Sequence, residues 1–561
     1  MPHFMTALVL AAALLAAACS SGTTAATEPP AIDGNAFLEH IKTLSSDRFE
    51  GRSPGTAGED LTVAYLEEQF RALGLKPGNT DGTYVQKVPL VSITIDGRPD
   101  LTLRRGSQTR VLKFHDEVVP WTKRVTERVS LNASDMVFVG YGVQAPEYQW
   151  DDYKGLDVRG KTLVMLVNDP AVPDPANPST LDPEVFGGQA MTYYGRWTYK
   201  FEIGAKLGAA AVLVIHETGP AGYPFSVVQN NTGEQFDLVT PDRNMSRCAV
   251  EGWISRDAAV ELFRLAGRNF EALKKAAVTR EFEPVPLGVK ASIAFGNTLE
   301  QLESRNVLAK VEGSDPELKD EYVIYTAHWD HLGVGTPVDG DAIYNGAMDN
   351  ASGTSALIEI ARWYTKVQPP PKRSILFLAV TAEEQGLLGS QYYAEFPVYP
   401  LEKTLAALNI DGMNMFGRTR DVTVIGMGAS DLDDYLRDAA EAQNRTLRPD
   451  PEPEKGYYYR SDHFNFAKRG VPALYTDDGT EFIGKPDTYA NEVRTRWVSE
   501  DYHRPSDEVK PHWNIGGAVE DMALFAQIGY AVANADRYPE WKPGNEFREI
   551  REQRLQTGGT E

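Results

Sequence analysis

Cysteine is nearly absent: only Cys19 and Cys248 occur in 561 residues. Two cysteines cannot build a disulfide framework, so packing and bound ions must stabilise the fold. An excess of positive charge is also missing. Lys and Arg number 56 against 79 Asp and Glu, a formal net charge of −23. This disfavours nucleic acid as a partner, because a polyanion binder needs a basic face to displace counterions. Long hydrophobic runs are missing too. The apolar stretch Ala7 to Ala18 is about 12 residues, too short to cross a bilayer. No internal repeat is apparent, which argues against solenoids and propellers. What remains, 42% hydrophobic and 24% charged residues, is the composition of a soluble globular protein. The length exceeds what one core can hold, so two or three domains are expected.

The apolar stretch runs into Leu15-Ala16-Ala17-Ala18-Cys19, followed by Ser20, Ser21, Gly22 and Thr23. This resembles a bacterial lipoprotein signal. The resemblance implies cleavage before Cys19, lipidation of that cysteine, and export to the periplasm or cell surface. Met1 to Thr6 departs from the pattern in carrying no Lys or Arg, and Ala16 stands where Leu is usual. Residues 20–30 then read as a flexible tether.

Apolar residues recur at helical spacing over 33–44 and 56–73, and Gly74 ends the second run. Residues 84–120 read as irregular strands, and 31–130 together are expected to pack on the domain at 291–545. The pattern changes over 131–290. Met136 to Val143, Gly160 to Val167 and Ala210 to His216 read as strands, and Phe201 to Leu207 as a helix. This stretch resembles the protease-associated domain, a small β-rich module inserted into exported peptidases. From about 291 to 545 strands alternate with helices: Tyr322 to Ala327, Ile375 to Thr381, Ala406 to Ile410, Val422 to Gly426 and Pro472 to Thr476 are the strands. Alternation of this kind predicts an α/β fold, a three-layer α/β/α sandwich on a mixed, largely parallel sheet, beside the β-rich insert. The charged tail 546–561 is expected to be mobile.

Functional residues of such sheets gather past the carboxyl ends of strands. There stand His328-Trp329-Asp330-His331, Glu383-Glu384 and Asp411, with Asp349 and Tyr502-His503-Arg504-Pro505-Ser506-Asp507 on loops. Each alone has a bland reading as a solvated pair, a helix cap or a loop histidine. Their convergence does not. Burying that many carboxylates without cations costs several kcal/mol each, and metal ions remove the cost. Imidazole and carboxylate suit zinc, although manganese or cobalt fit the same ligands. Two ions ~3.5–4 Å apart need a bridging carboxylate, and water bound there has a pKa lowered towards ~7. Adjacent glutamates point differently, so one can bind metal while the other faces the water as general base.

The order His-x-Asp, Asp, Glu-Glu, Asp, His, ending in Tyr-His-x-x-x-Asp, resembles metallopeptidase family 28 over most of 298–535. The resemblance implies two zinc ions per chain. His328 and Asp411 would hold one, Glu384 and His503 the other, and Asp349 would bridge them. Glu383 would be the general base, Asp330 would orient His328, and the Asp349–Asn350 peptide would be cis. Peptide substrates follow, with an aminopeptidase leading because a free ammonium matches a carboxylate-rich site. A carboxypeptidase of the same family is the alternative, holding the substrate carboxylate through Arg460, Arg494 or Arg496. A single-zinc glutaminyl cyclase and a non-enzymatic peptide-binding receptor on the same fold are further alternatives. His331 is expected behind the ligands, and His463 competes with His503 for a ligand position. One of Tyr457, Tyr458 and Tyr459 is expected to face the oxyanion. Tyr459 and Arg460 are the candidate substrate-binding residues.

Overall fold

The computed structural model describes residues 29–230 and 234–558. The leader, Cys19 and most of the tether lie outside the described residues. No helix among the described residues is long and apolar enough to cross a membrane.

Strand Tyr322–His328 lies between Ser374–Val380 and Thr404–Asn409 and runs parallel to both. Ala473–Asp477 continues parallel beyond Thr404–Asn409. Antiparallel neighbours follow on either side, Asp421–Ile425 beside Ala473–Asp477 and the end of Val285–Val311 beside Ser374–Val380. The sheet is therefore mixed and largely parallel. Its three central strands are buried along their whole length, which is why they read as unbroken apolar runs. The two-residue period sorts their side chains. Val323, Tyr325, Ile375 and Phe377 face one layer, and Tyr322, Ile324, Leu376 and Leu378 face the other. Helices Gly34–Leu44, Ala57–Ala72, Gly353–Tyr364, Leu432–Ala442 and Gly516–Ala533 cover the first face. Leu388–Glu395, His463–Ala467, Trp541 and Phe547 cover the second. This is the three-layer α/β/α sandwich.

A second core draws on residues from Leu101 to Phe295. Its centre is three parallel strands, Thr162–Leu166, Ala211–His216 and Val250–Ser255, with Val118–Trp121 antiparallel at the side. Cys248 is fully buried here, and burial pushes its thiol pKa up. Strands Leu101–Arg105, Gln108–Leu112 and Val118–Trp121 belong to this core, which corrects the expectation that 31–130 packs wholly on the sandwich. The reason is pairing: Leu103 lies opposite Ala291. No boundary falls at 291 either. One 27-residue strand, Val285–Val311, runs through both bodies. Its first part pairs with Arg128–Phe138, its later part with Val85–Asp96 and then Ser374–Val380.

The tail also differs from expectation. Arg548–Gly558 is a helix, and buried Arg551 donates to the carbonyls of Leu401 at 3.0 Å and Thr404 at 2.8 Å. A single buried guanidinium satisfying buried carbonyls outweighs the charged composition of the segment.

The two bodies meet along a polar seam. The Met191 N–H donates to the Pro453 carbonyl at 3.0 Å, and Lys468 pairs with Glu202 at 2.8 Å. The Tyr459 hydroxyl donates to Glu546 at 3.2 Å. Burial pushes the Glu546 carboxyl up to about 8, and nearby Asp169 and Glu147 add to the rise. A carboxyl raised on folding contributes most stability as the neutral acid, below its ordinary range, and loses it as pH rises through about 8. Glu546→Gln is therefore expected to shrink the fall in melting temperature between about pH 5 and about pH 9. An undiminished fall in the variant would remove Glu546 as its source.

Candidate active site

Parallel neighbours end side by side, so the residues after Tyr322–His328, Ser374–Val380 and Thr404–Asn409 converge. His328 Nε2 lies 3.3 Å from Asp349 Oδ1 and 3.3 Å from Asp411 Oδ1. His503 Nε2 lies 3.1 Å from Asp349 Oδ2 and 3.1 Å from Glu384 Oε2. The two oxygens of Asp349 thus face two different histidine–carboxylate pairs. The Asp349–Asn350 peptide is cis.

A ring of bonds fixes these groups. The Asp507 carboxylate accepts from the backbone N–H of Met348 at 3.0 Å and of Asp349 at 3.0 Å, holding the loop that presents Asp349. The Ser461 hydroxyl donates to Asp411 at 2.5 Å. His331 Nδ1 donates to Glu384 Oε1 at 2.6 Å, behind the face that meets His503. Asp330 acts differently from expectation. His328 Nδ1 donates to its backbone carbonyl at 3.1 Å, while its carboxylate stands 3.8 Å away. That carboxylate instead accepts the N–H groups of Glu383 at 3.2 Å and Glu384 at 3.4 Å. Asp330 therefore positions the glutamate pair with its side chain and His328 with its backbone.

Arg52 carries no sequence signal of its own, yet it ties the site together. It is buried and donates to the carbonyls of Leu44, Trp329, Asn345 and Gly346 at 2.6–2.8 Å. The His328–His331 loop and the loop entering Asp349 are thus pinned to one guanidinium. Burial lowers the Arg52 pKa to about 10, against the pull of Asp507, Asp330, Asp349 and Glu384.

The other candidates fall outside this cluster. His463 is enclosed by the rings of Tyr458 at 4.7 Å and Tyr475 at 4.9 Å, and burial pushes its pKa down to about 3. Tyr459 is turned to Glu546 in the seam, a correction to its expected place against substrate. Its aromatic surroundings explain this, since Phe464 lies 5.2 Å and Tyr193 6.1 Å from its ring. Arg460 is exposed, over the ring of Tyr457 at 5.5 Å. The tyrosines in the field of the carboxylates are Tyr475, near Asp411, and Tyr502, stacked on His503 at 3.9 Å.

The cluster is overloaded with acid. Burial raises Glu383 well above its ordinary range, and Asp411, Glu384 and Asp462 add to this against His328. Burial pushes Asp330 and Asp462 up to about 7 and Asp507 to about 6. Burial alone would lower His328, but Glu383, Asp349 and Asp411 outweigh it and raise the imidazole. Such a site needs cations. Potential ligand atoms of His328, Asp349 and Asp411 lie within 4.8 Å of one another, as do those of His331, Asp349 and Glu384. His503 joins the second group through its 3.1 Å contacts. Histidine with two carboxylates at each position, one of them shared, fits zinc. Asp349→Ala is expected to lower the zinc content of the protein, and parental zinc content by atomic emission would rule out a shared ligand there.

Residues 306–526 match the model of peptidase family M28. Aminopeptidase NAALADL1 of Mus musculus is 35% identical over 170 residues, covering 28% of this chain and 21% of that protein. A probable zinc metalloprotease of Pyrenophora tritici-repentis is 35% identical over 146 residues, 26% of this chain and 27% of that one. The matches span only about a quarter of the length of these curated relatives. Among solved structures, an aminopeptidase from Aneurinibacillus sp. strain AM-1 aligns over 92% of this chain and 95% of its own, at 19% identity and a TM-score of 0.48. The stretch that matches peptidase family M28, residues 306–526, holds the ligand-bearing strand ends and His503.

Proposed function

We propose that this chain is an exported aminopeptidase that holds two zinc ions and removes N-terminal residues from peptides. The observation that carries the reading is Asp349, whose two oxygens face His328 with Asp411 on one side and His503 with Glu384 on the other. His328 and Asp411 would hold one ion, Glu384 and His503 the other, with Asp349 shared. When bound, the ions supply an acidified water and polarise the scissile carbonyl. Glu383 takes the proton from the attacking water and passes it to the leaving amine. Asp330 keeps Glu383 and Glu384 aimed apart by holding both backbone N–H groups. The surrounding carboxylates attract a free N-terminal ammonium. The names of the curated relatives, an aminopeptidase and a probable zinc metalloprotease, support this activity. The leader sequence supports export and anchorage through lipidated Cys19, and the pattern over 131–290 supports a protease-associated module.

The test uses protein lacking residues 1–27, with amino-acid p-nitroanilides and N-blocked dipeptides as substrates. Each is assayed as purified, after chelation and after zinc is restored. Chelator-sensitive release from free amino termini supports the reading. Cleavage only of blocked peptides with a free carboxylate would replace it with a carboxypeptidase.

A further inference from the structure

Of His328, Asp349, Glu384, Asp411 and His503, only His503 has its backbone in the left-handed region, with a φ of 56°. That conformation crowds a side chain with a Cβ and persists only where the surroundings enforce it. One constraint follows His503 in the chain, where Asp507 accepts from the backbone N–H groups of Met348 and Asp349. The other precedes it. This is helix Tyr489–Glu500, which is itself weakly held. Only Val493 on it is buried, and Val498 is 50% exposed. Its ion pair to the sandwich, Arg494 to Asp477 at 2.7 Å, is partly open to solvent. A helix of 12 residues is marginal on its own.

The helix reaches the site through a stack of rings. Trp497 packs at the margin of the sandwich core, with its ring 5.0 Å from that of Tyr502. Tyr502 in turn stacks on His503 at 3.9 Å. The Trp497 carbonyl accepts the N–H groups of Asp501 and Tyr502, each at 2.9 Å, which closes the helix end against the loop that carries the imidazole. Trp497 Nε1 is buried without a hydrogen-bond partner, so ring packing sets its place. At the far end of the stack His503 Nε2 faces Asp349 and Glu384, both at 3.1 Å. A strained ligand and a weakly held helix thus share one link. Linkage is reciprocal: the order that the helix lends the imidazole, a bound ion returns to the helix.

We propose that Trp497 is a positioning residue for the metal site, and that zinc bound through His503 orders helix Tyr489–Glu500 in return. This rests on the reading of His503 as a zinc ligand. Trp497 touches neither metal nor substrate and acts through Tyr502. The helix is latched in the zinc-loaded protein and released when zinc leaves.

The test follows amide hydrogen exchange by mass spectrometry and zinc affinity by chelator competition, on the same protein as the hydrolysis assays. Removing zinc from the parent should speed exchange across residues 489–503 by about 10–100-fold, while helix Gly516–Ala533 stays protected. Trypsin should then cut after Arg494 and Arg496, sites that resist in the loaded protein. Trp497→Ala should weaken one of the two zinc sites by about the same 10–100-fold, since linkage makes the two effects equal, and leave the other site unchanged. Trp497→Phe keeps a ring against Tyr502 and should recover most of that affinity. A role confined to packing would loosen the helix without moving zinc affinity. Exchange at 489–503 that ignores zinc, or parental zinc affinity in Trp497→Ala, would overturn the proposal. If Trp497→Ala does not fold, exchange in the parent with and without zinc still decides the coupling. A parent that takes up no zinc overturns this proposal together with the metal reading, whereas two bound ions beside a zinc-insensitive helix overturn this proposal alone.

Discussion

Glu383→Gln is expected to lower turnover of a p-nitroanilide by about 10²–10⁴-fold while zinc content stays at the parental level. The geometry separates Glu383 from its neighbour. Glu384 meets His331 at 2.6 Å and His503 at 3.1 Å, whereas the Glu383 side chain stands outside both ligand groups. Burial and the nearby Asp411, Glu384 and Asp462 raise its proton affinity, which suits a group that must first take a proton and then release it. The amide keeps the size and the backbone bond to Asp330 but cannot accept the proton. The variant should also lose the acidic limb of the pH–rate profile. Parental turnover with both ions bound would place the base elsewhere.

Arg52→Met is expected to lower the free energy of unfolding by at least ~3 kcal/mol and to weaken zinc binding by about 10–100-fold. The substitution leaves four buried carbonyls, those of Leu44, Trp329, Asn345 and Gly346, without their donors. It also removes a cation from beside Asp507, Asp330, Asp349 and Glu384. Arg52→Lys separates the two effects. It keeps the charge, but a single ammonium cannot span four carbonyls in the fixed fork of a guanidinium. If positioning dominates, Lys fails almost as badly as Met; if charge dominates, Lys recovers zinc affinity. Chemical denaturation and competition with a zinc chelator read the two quantities. Parental values of both in Arg52→Met would show that Arg52 neither braces nor neutralises the site.

The legible parts of the fold were those with one dominant physical signal. Strands Tyr322–His328 and Ser374–Val380 are buried on both faces, so their apolar runs and the reactive residues that follow them stand out. Strand Val285–Val311 is hard to read as one element because Glu300 to Asn306, polar except for Leu302, interrupts its alternation. Helix Tyr489–Glu500 leaves no sequence signal, because only Val493 on it is buried and no apolar stripe results. Arg52 was illegible for another reason. Its partners are backbone carbonyls as far away in sequence as Gly346, and a carbonyl leaves no trace in residue identity. Tyr459 was misplaced because three consecutive tyrosines share one composition, and only the position of Glu546 decides which way the last one turns.

The shared role of Asp349 is the centre of the account, and anomalous diffraction at the zinc edge tests it most directly. Crystals of the zinc-loaded protein are predicted to show two peaks, one between His328 and Asp411 and one between Glu384 and His503, with Asp349 between the peaks. A single peak, or two peaks with Asp349 touching neither or only one, would contradict it.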